Sequence, residues 1–164
     1  MHHLEFKKIL VPVDFSDESF AAVDEALELV ASARQLCVVH VLPQISRQEI
    51  GIVWIAEFDQ ERCARVLNEL RSRLQHDKYR GIDLEVAIGD AAHQIVKAAE
   101  IKHATLIVMP SHGRTGCRQF LLGSVAERVT RLAECPVLVL KHPHDAPGER
   151  VESATVANQV VSAH

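Results

Sequence analysis

Residues 9–16, Ile9-Leu10-Val11-Pro12-Val13-Asp14-Phe15-Ser16, decide the fold. Ile9 to Val13 form an unbroken apolar run, short enough to be a strand covered on both faces rather than a buried helix. Asp14 follows at once. Ser16 offers a hydroxyl suited to accept from the free N–H groups that open a helix. Phe20, Val23, Leu27 and Val30 then recur at three- and four-residue steps, which predicts a helix with one buried face. A buried strand running directly into an amphipathic helix is the first half of a βαβ unit.

The same alternation continues outward. Leu36-Cys37-Val38-Val39-His40-Val41 reads as a second buried strand, followed by a less regular stretch from Leu42 to about Ala56. Phe58, Val66, Leu67, Leu70 and Leu74 mark a second helix. Leu84 to Ile88 alternates enough to be a partly exposed strand near a sheet edge. Ile95, Val96 and Ala99 mark a third helix, Leu106 to Met109 a fourth strand, Ser124 to about Ala133 a short helix, and Val137 to Leu140 the last strand. The expected architecture is one doubly wound α/β domain over residues 1–141, with a mostly parallel sheet and helices on both faces. Such folds take ligands beyond the carboxyl ends of the strands, where the strand order reverses. Sequence alone leaves that order open. Residues 142–164 read as a polar tail carrying Pro143 and Pro147, with a weak helical pattern from Val156 to Val161.

Composition narrows the function. The 164 residues suit one domain with a real core. A net charge of −4 argues against a sequence-independent nucleic-acid binder, which needs a broad basic face. No apolar run approaches the roughly 18–20 residues that span a bilayer, so no membrane role is expected. The N-terminus lacks an export signal, and Cys37, Cys63, Cys117 and Cys135 stand at no C-x-x-C spacing. A cytoplasmic protein with free thiols follows as the expectation.

Two strand ends carry the chemistry. One is Pro12-Val13-Asp14. The other is Met109-Pro110-Ser111-His112-Gly113-Arg114-Thr115-Gly116, running on to Leu121-Leu122-Gly123-Ser124. Glycines let backbone approach a ligand closely, and a helix opening at Gly123-Ser124 presents N–H groups and its positive dipole end to an anion. Arg114, Arg118, Arg128 and Arg131 add positive charge in an acidic chain, and together these features favour a polyphosphate. Each has a plainer reading. Asp14 suits a local turn. Ser124 with Glu127 spells a capping box. Arg118 and Arg128 suit a solvated helix face. His112 lacks the nucleophile elbow and second acid of a hydrolytic triad, and the Gly-Lys-Ser/Thr ending of a Walker loop is missing. No catalytic residue and no metal ligand set is assigned; His142, His144 and Asp145 belong to the tail.

Several of these segments resemble universal stress proteins: the opening Ile9 to Ser16, Val39-His40-Val41, Gly89-Asp90, and above all Ser111-His112-Gly113, nine residues, Gly123-Ser124, then Pro136-Val137-Leu138-Val139. The resemblance covers about residues 5–141. It implies a five-stranded parallel sheet in order 3-2-1-4-5, with Asp14 and the glycine loop facing each other across one crevice between strands 1 and 4. It further implies an adenine-nucleotide site, for ATP or AMP, built from Pro12, Val13, Asp14, Val41, Met109, Ser111, His112, Gly113, Arg114, Gly123, Ser124 and Val125. Mg²⁺ or Mn²⁺ would arrive with the phosphates. It also implies a homodimer through Val137, Leu138, Val139 and Leu140, and a stress-response binding protein rather than an enzyme. The alternatives are a dimeric interaction module without nucleotide, or a slow ATPase. Pro110 departs from the family's signature: it stands where the first glycine is expected and removes one backbone N–H.

Overall fold

The computed structural model describes residues 6–45, 55–111, 122–141 and 159–161. The apolar run that opens the chain becomes β1 (Ile9–Pro12), buried at all four positions in the middle of the sheet. Ser16 caps α1 (Asp17–Glu28), its hydroxyl accepting from the Ser19 N–H at 3.2 Å. There follow β2 (Leu36–Leu42), α2 (Ile55–Arg73), β3 (Asp83–Ile88), α3 (Ala91–Ile101), β4 (Leu106–Pro110), α4 (Ser124–Leu132) and β5 (Val137–Leu140). The five strands are parallel and stand in the order β3-β2-β1-β4-β5, as the resemblance implies.

Alternate residues of each buried strand enter two cores, which is why these strands are apolar throughout rather than every second residue. Leu10, Cys37, Val39, Ile107 and Met109 pack on the face covered by α3 and α4, against Ala92, Ile95, Ala126 and Val129. Ile9, Val11, Val38 and Val108 pack on the opposite face, against Ala22, Val23 and Ala26 of α1 and Leu70 of α2. β3 is half-buried along its whole length and closes one edge, matching its weaker apolar pattern. Lys102 guards that edge, its ammonium 2.9 Å from Asp83 and 3.1 Å from Glu85. Hydrogen bonds to these two carboxylates hold the ammonium above its usual range.

The other edge departs from expectation. A sixth strand, β6 (Gln159–Val161), lies antiparallel on β5, pairing Leu138 with Val160. The helical pattern read at Val156 to Val161 is therefore overturned over these residues. Val160 and Val161 are β-branched, and an open apolar edge offers backbone partners that a lone helical turn lacks. Residues 142–158, with His142, His144 and Asp145, lie outside the described part of the chain.

Among the described cysteines, Cys37, Cys63 and Cys135 are free. Cys37 sits fully buried in β2, and burial, reinforced by the Asp83 carboxylate, pushes its thiol from 9.0 up to about 12. The folded state thus keeps a proton that the unfolded chain gives up near pH 9. The corresponding stability is fully present below pH 9 and is lost as pH rises towards 12. Urea titrations at pH 8, 9, 10 and 11 should show the parent's stability falling more steeply than that of Cys37→Ala. Parallel curves would contradict this.

Candidate functional site

Two prolines shape the place where the strand order reverses. Val13 donates its N–H to the Val39 carbonyl on the β2 side (2.9 Å), so Pro12, one residue earlier, faces β4. Ile107 donates to Pro136 (3.0 Å) and Ser111 to Leu140 (2.8 Å), both on the β5 side, so Pro110 faces β1. The pairing of β1 with β4 ends at Leu10 and Ile107. Towards the outer neighbours the ladders run further, to Pro12 with Val39 and to Pro110 with Leu140. The next two rungs between β1 and β4 would need an N–H from Pro12 and one from Pro110, and proline has none. A gap between the two central strands therefore follows from two residues, one on each lip.

The β1 lip continues into a tightly bonded turn. Oδ1 of the half-buried Asp14 accepts from the Ser16 N–H (3.1 Å) and from the Ser16 hydroxyl, and the Asp14 N–H donates to Ser19 Oγ (3.3 Å). Ser19, itself buried, donates onward to the Ser16 carbonyl at 2.8 Å. The local-turn role of Asp14 is thus present, and it places the carboxylate at the carboxyl end of β1. Phe15 beside it holds φ at 65°, the left-handed region, and its ring packs edge-on against His40.

The β4 lip leads to α4. The buried Ser111 accepts from the Gly123 N–H through its carbonyl (2.8 Å), tying the helix start to the strand end. Gly123 is the N-cap, extended at φ −60° and ψ 150°, and as a glycine it brings no side chain to cap the helix. The capping box expected of Ser124 and Glu127 is overturned: Ser124 lies one position inside the helix, where its hydroxyl cannot play the cap role. The N-cap of α4 thus supplies no side-chain oxygen of the kind that Ser16 supplies to α1 and Asp90 to α3.

The other residues expected at the site sort by face. Val41, at the end of β2, and Val125, in the first turn of α4, both pack against the α3/α4 core, as does buried Met109. The side chain of Val13 belongs to the α1/α2 core on the opposite face. His112, Gly113 and Arg114 lie outside the described residues, as do Thr115, Gly116, Cys117 and Arg118.

Arg128 turns out to be committed. Its guanidinium grips Asp90 with two 2.8 Å hydrogen bonds, while Asp90 caps α3 through the His93 N–H. The Arg128 hydrogen bond, followed by those from His93, holds the Asp90 carboxyl well below the usual carboxylate range. The pair clamps the start of α3 to α4, and no local pattern announces it. A second residue missed at the sequence level is His40, whose Nδ1 lies 2.8 Å from the Val13 carbonyl. The Val39-His40-Val41 segment had pointed to its neighbourhood without its role.

Two open depressions lie at the other end of the sheet, one of about 250 Å³ beside Asp24, Leu27 and Lys78, the other of about 410 Å³ near Arg71, Tyr79 and Leu84. Both mix acidic and basic rims and lie at the amino ends of β2 and β3, so the reversal point has the better topological claim. Among the described residues no three His, Cys, Asp or Glu side chains gather as a metal site, and no helix is long and apolar enough to cross a membrane.

Comparison with known proteins points one way. The model of the universal stress protein family matches residues 5–141. Universal stress protein MJ0531 of Methanocaldococcus jannaschii is 38% identical over 144 residues, covering 84% of each chain. Universal stress protein YxiE of Bacillus subtilis is 34% identical, covering 83% of this chain and 99% of its own. Among solved structures, MJ0577 of M. jannaschii superposes with a TM-score of 0.64 at 29% identity, over 87% of this chain and all of that one. A universal stress protein solved in complex with cAMP, at 23% identity and a TM-score of 0.56, covers 84% of this chain and 98% of its own, and shares the fold.

Proposed function

This chain belongs to the universal stress protein family, and we propose that within it the protein is a cytoplasmic, non-enzymatic stress-response protein that binds adenine nucleotide between β1 and β4. The observation that carries the reading is the end of β1–β4 pairing at the strand-order reversal, beside a helix whose N-cap is a glycine. The nucleoside end lies towards Pro12, Val13, Asp14, Val41 and Met109. The phosphates lie towards Ser111, His112, Gly113, Arg114, Gly123, Ser124 and Val125, where first-turn N–H groups favour an anion. Mg²⁺ or Mn²⁺ accompanies the phosphates, as small hard cations do.

Calorimetry with ATP, ADP and AMP in Mg²⁺ tests this. Saturable heat is expected, and no heat at millimolar nucleotide would sink the reading. Pro110→Gly sharpens the test, because it returns an N–H on the crevice side. One added hydrogen bond of about 1 kcal/mol should tighten binding about fivefold. Weaker binding would mean that the new N–H closes the missing rung to Pro12 instead.

A second element of the proposal is a homodimer through the β5 edge, Val137 to Leu140. β6 pairs with that same edge, so a partner strand there competes with the chain's own C-terminal residues. A chain ending at Lys141 should dimerise more tightly than the full chain in sedimentation equilibrium. Equal association of the two forms would remove the β5 edge as the interface.

A further inference from the structure

Val13 is where the β1–β2 ladder gives way to the turn that carries Asp14. Its N–H still makes a backbone bond to Val39, while its carbonyl meets a side chain, His40 Nδ1 at 2.8 Å. A carbonyl can only accept, so that ring nitrogen carries the hydrogen and donates. The imidazole thus extends the ladder by one bond beyond the reach of regular pairing.

The same ring meets the other side of Asp14. Its centroid lies 4.9 Å from that of Phe15 at an interplanar angle of 61°, and Phe15 in turn packs edge-on against Phe20 at 6.0 Å. Phe15 holds a left-handed backbone, which costs a residue with a side chain about 1–2 kcal/mol and persists only where surroundings enforce it. Asp14 sits between two residues, Val13 and Phe15, that one histidine holds from the neighbouring strand.

We infer that His40 is a positioning residue of the crevice: through the Val13 carbonyl and the Phe15 ring it sets where the Asp14 turn stands relative to β4. The inference rests on the nucleotide reading for its consequence, though its geometry is independent of it. His40 is half-buried on the α1 face of β2 and acts on ligand through Asp14.

Three variants test it. His40→Asn keeps a side-chain N–H close to the Nδ1 position, His40→Gln places one near Nε2, and His40→Leu has none. His40→Leu should weaken ATP binding about five- to tenfold, the worth of one hydrogen bond and its neighbour contacts. His40→Asn should recover most of that loss and His40→Gln should not. In parallel, hydrogen exchange of the Asp14 amide should quicken about tenfold in His40→Leu and stay near the parent rate in His40→Asn, with no nucleotide present. Equal behaviour of the Asn and Leu variants, or parent-like exchange in the Leu variant, overturns the inference. If the parent binds no nucleotide while the exchange pattern holds, the nucleotide reading fails and the positioning role stands.

Discussion

Asp14→Ala is expected to weaken adenine-nucleotide binding by about 10- to 100-fold and to lower folding stability by about 1 kcal/mol. The two losses have separate causes. For binding, a hydrogen bond to a charged group is worth about 1.5–3 kcal/mol, and the carboxylate stands at the carboxyl end of the central strand, where a ligand's hydroxyl groups would meet it. For stability, Oδ1 accepts from both the Ser16 N–H and the Ser16 hydroxyl, and Ser16 caps α1. Losing such a turn resembles losing a helix cap, at about 1 kcal/mol. Asp14→Asn separates the causes, since its amide oxygen can still accept from Ser16 while the charge is gone. It should fold nearly as well as the parent yet bind nucleotide poorly. Calorimetry and urea unfolding on the same samples check both, and parent-like affinity in Asp14→Ala would remove this residue from the site.

The second large effect is on stability. Leu10→Ala should cost about 3 kcal/mol, within the 2–5 kcal/mol typical of a buried leucine cut to alanine. Leu10 is 0% exposed, lies on the central strand, and packs in the α3/α4 core with Ile107 and Val129. Strands on both sides and helices above leave the surroundings little freedom to collapse into the cavity. Leu10 is also the last β1 residue paired with β4 before the gap, so its loss loosens the floor of the crevice. Ile101→Ala makes the matched comparison, because Ile101 is 60% exposed at the end of α3 and should change stability by less than about 0.5 kcal/mol. A Leu10→Ala loss below 1 kcal/mol in urea would mean that the core re-packs freely.

Much of this fold was legible because its signals are local. β5 occupies the residues read from its apolar run, β4 extends one residue further than expected, to Pro110, and α1 begins one residue after the predicted cap Ser16. The order of the strands came from family resemblance rather than from pattern, since apolar runs do not record their neighbours. At the helix start residue type left Ser124 open as either a cap or a phosphate contact, and Gly123 holds the cap position. The Gly123 N–H reaches the Ser111 carbonyl, a contact that residue preference does not contain.

Residue type and spacing were enough for the alternation of buried strands and amphipathic helices, for the Ser16 cap and for the half-exposed character of β3. These depend on side chains within a turn or two of each other. Three-dimensional pairing was needed for the rest. Pro12 and Pro110 matter as a pair because each turns its missing N–H towards the other strand, and that direction is set by the ladders to Val39 and Leu140. Arg128 finds Asp90 across 38 residues and His40 finds Val13 across 27. Such contacts are chosen by the packing of whole elements, which no short stretch of chain encodes.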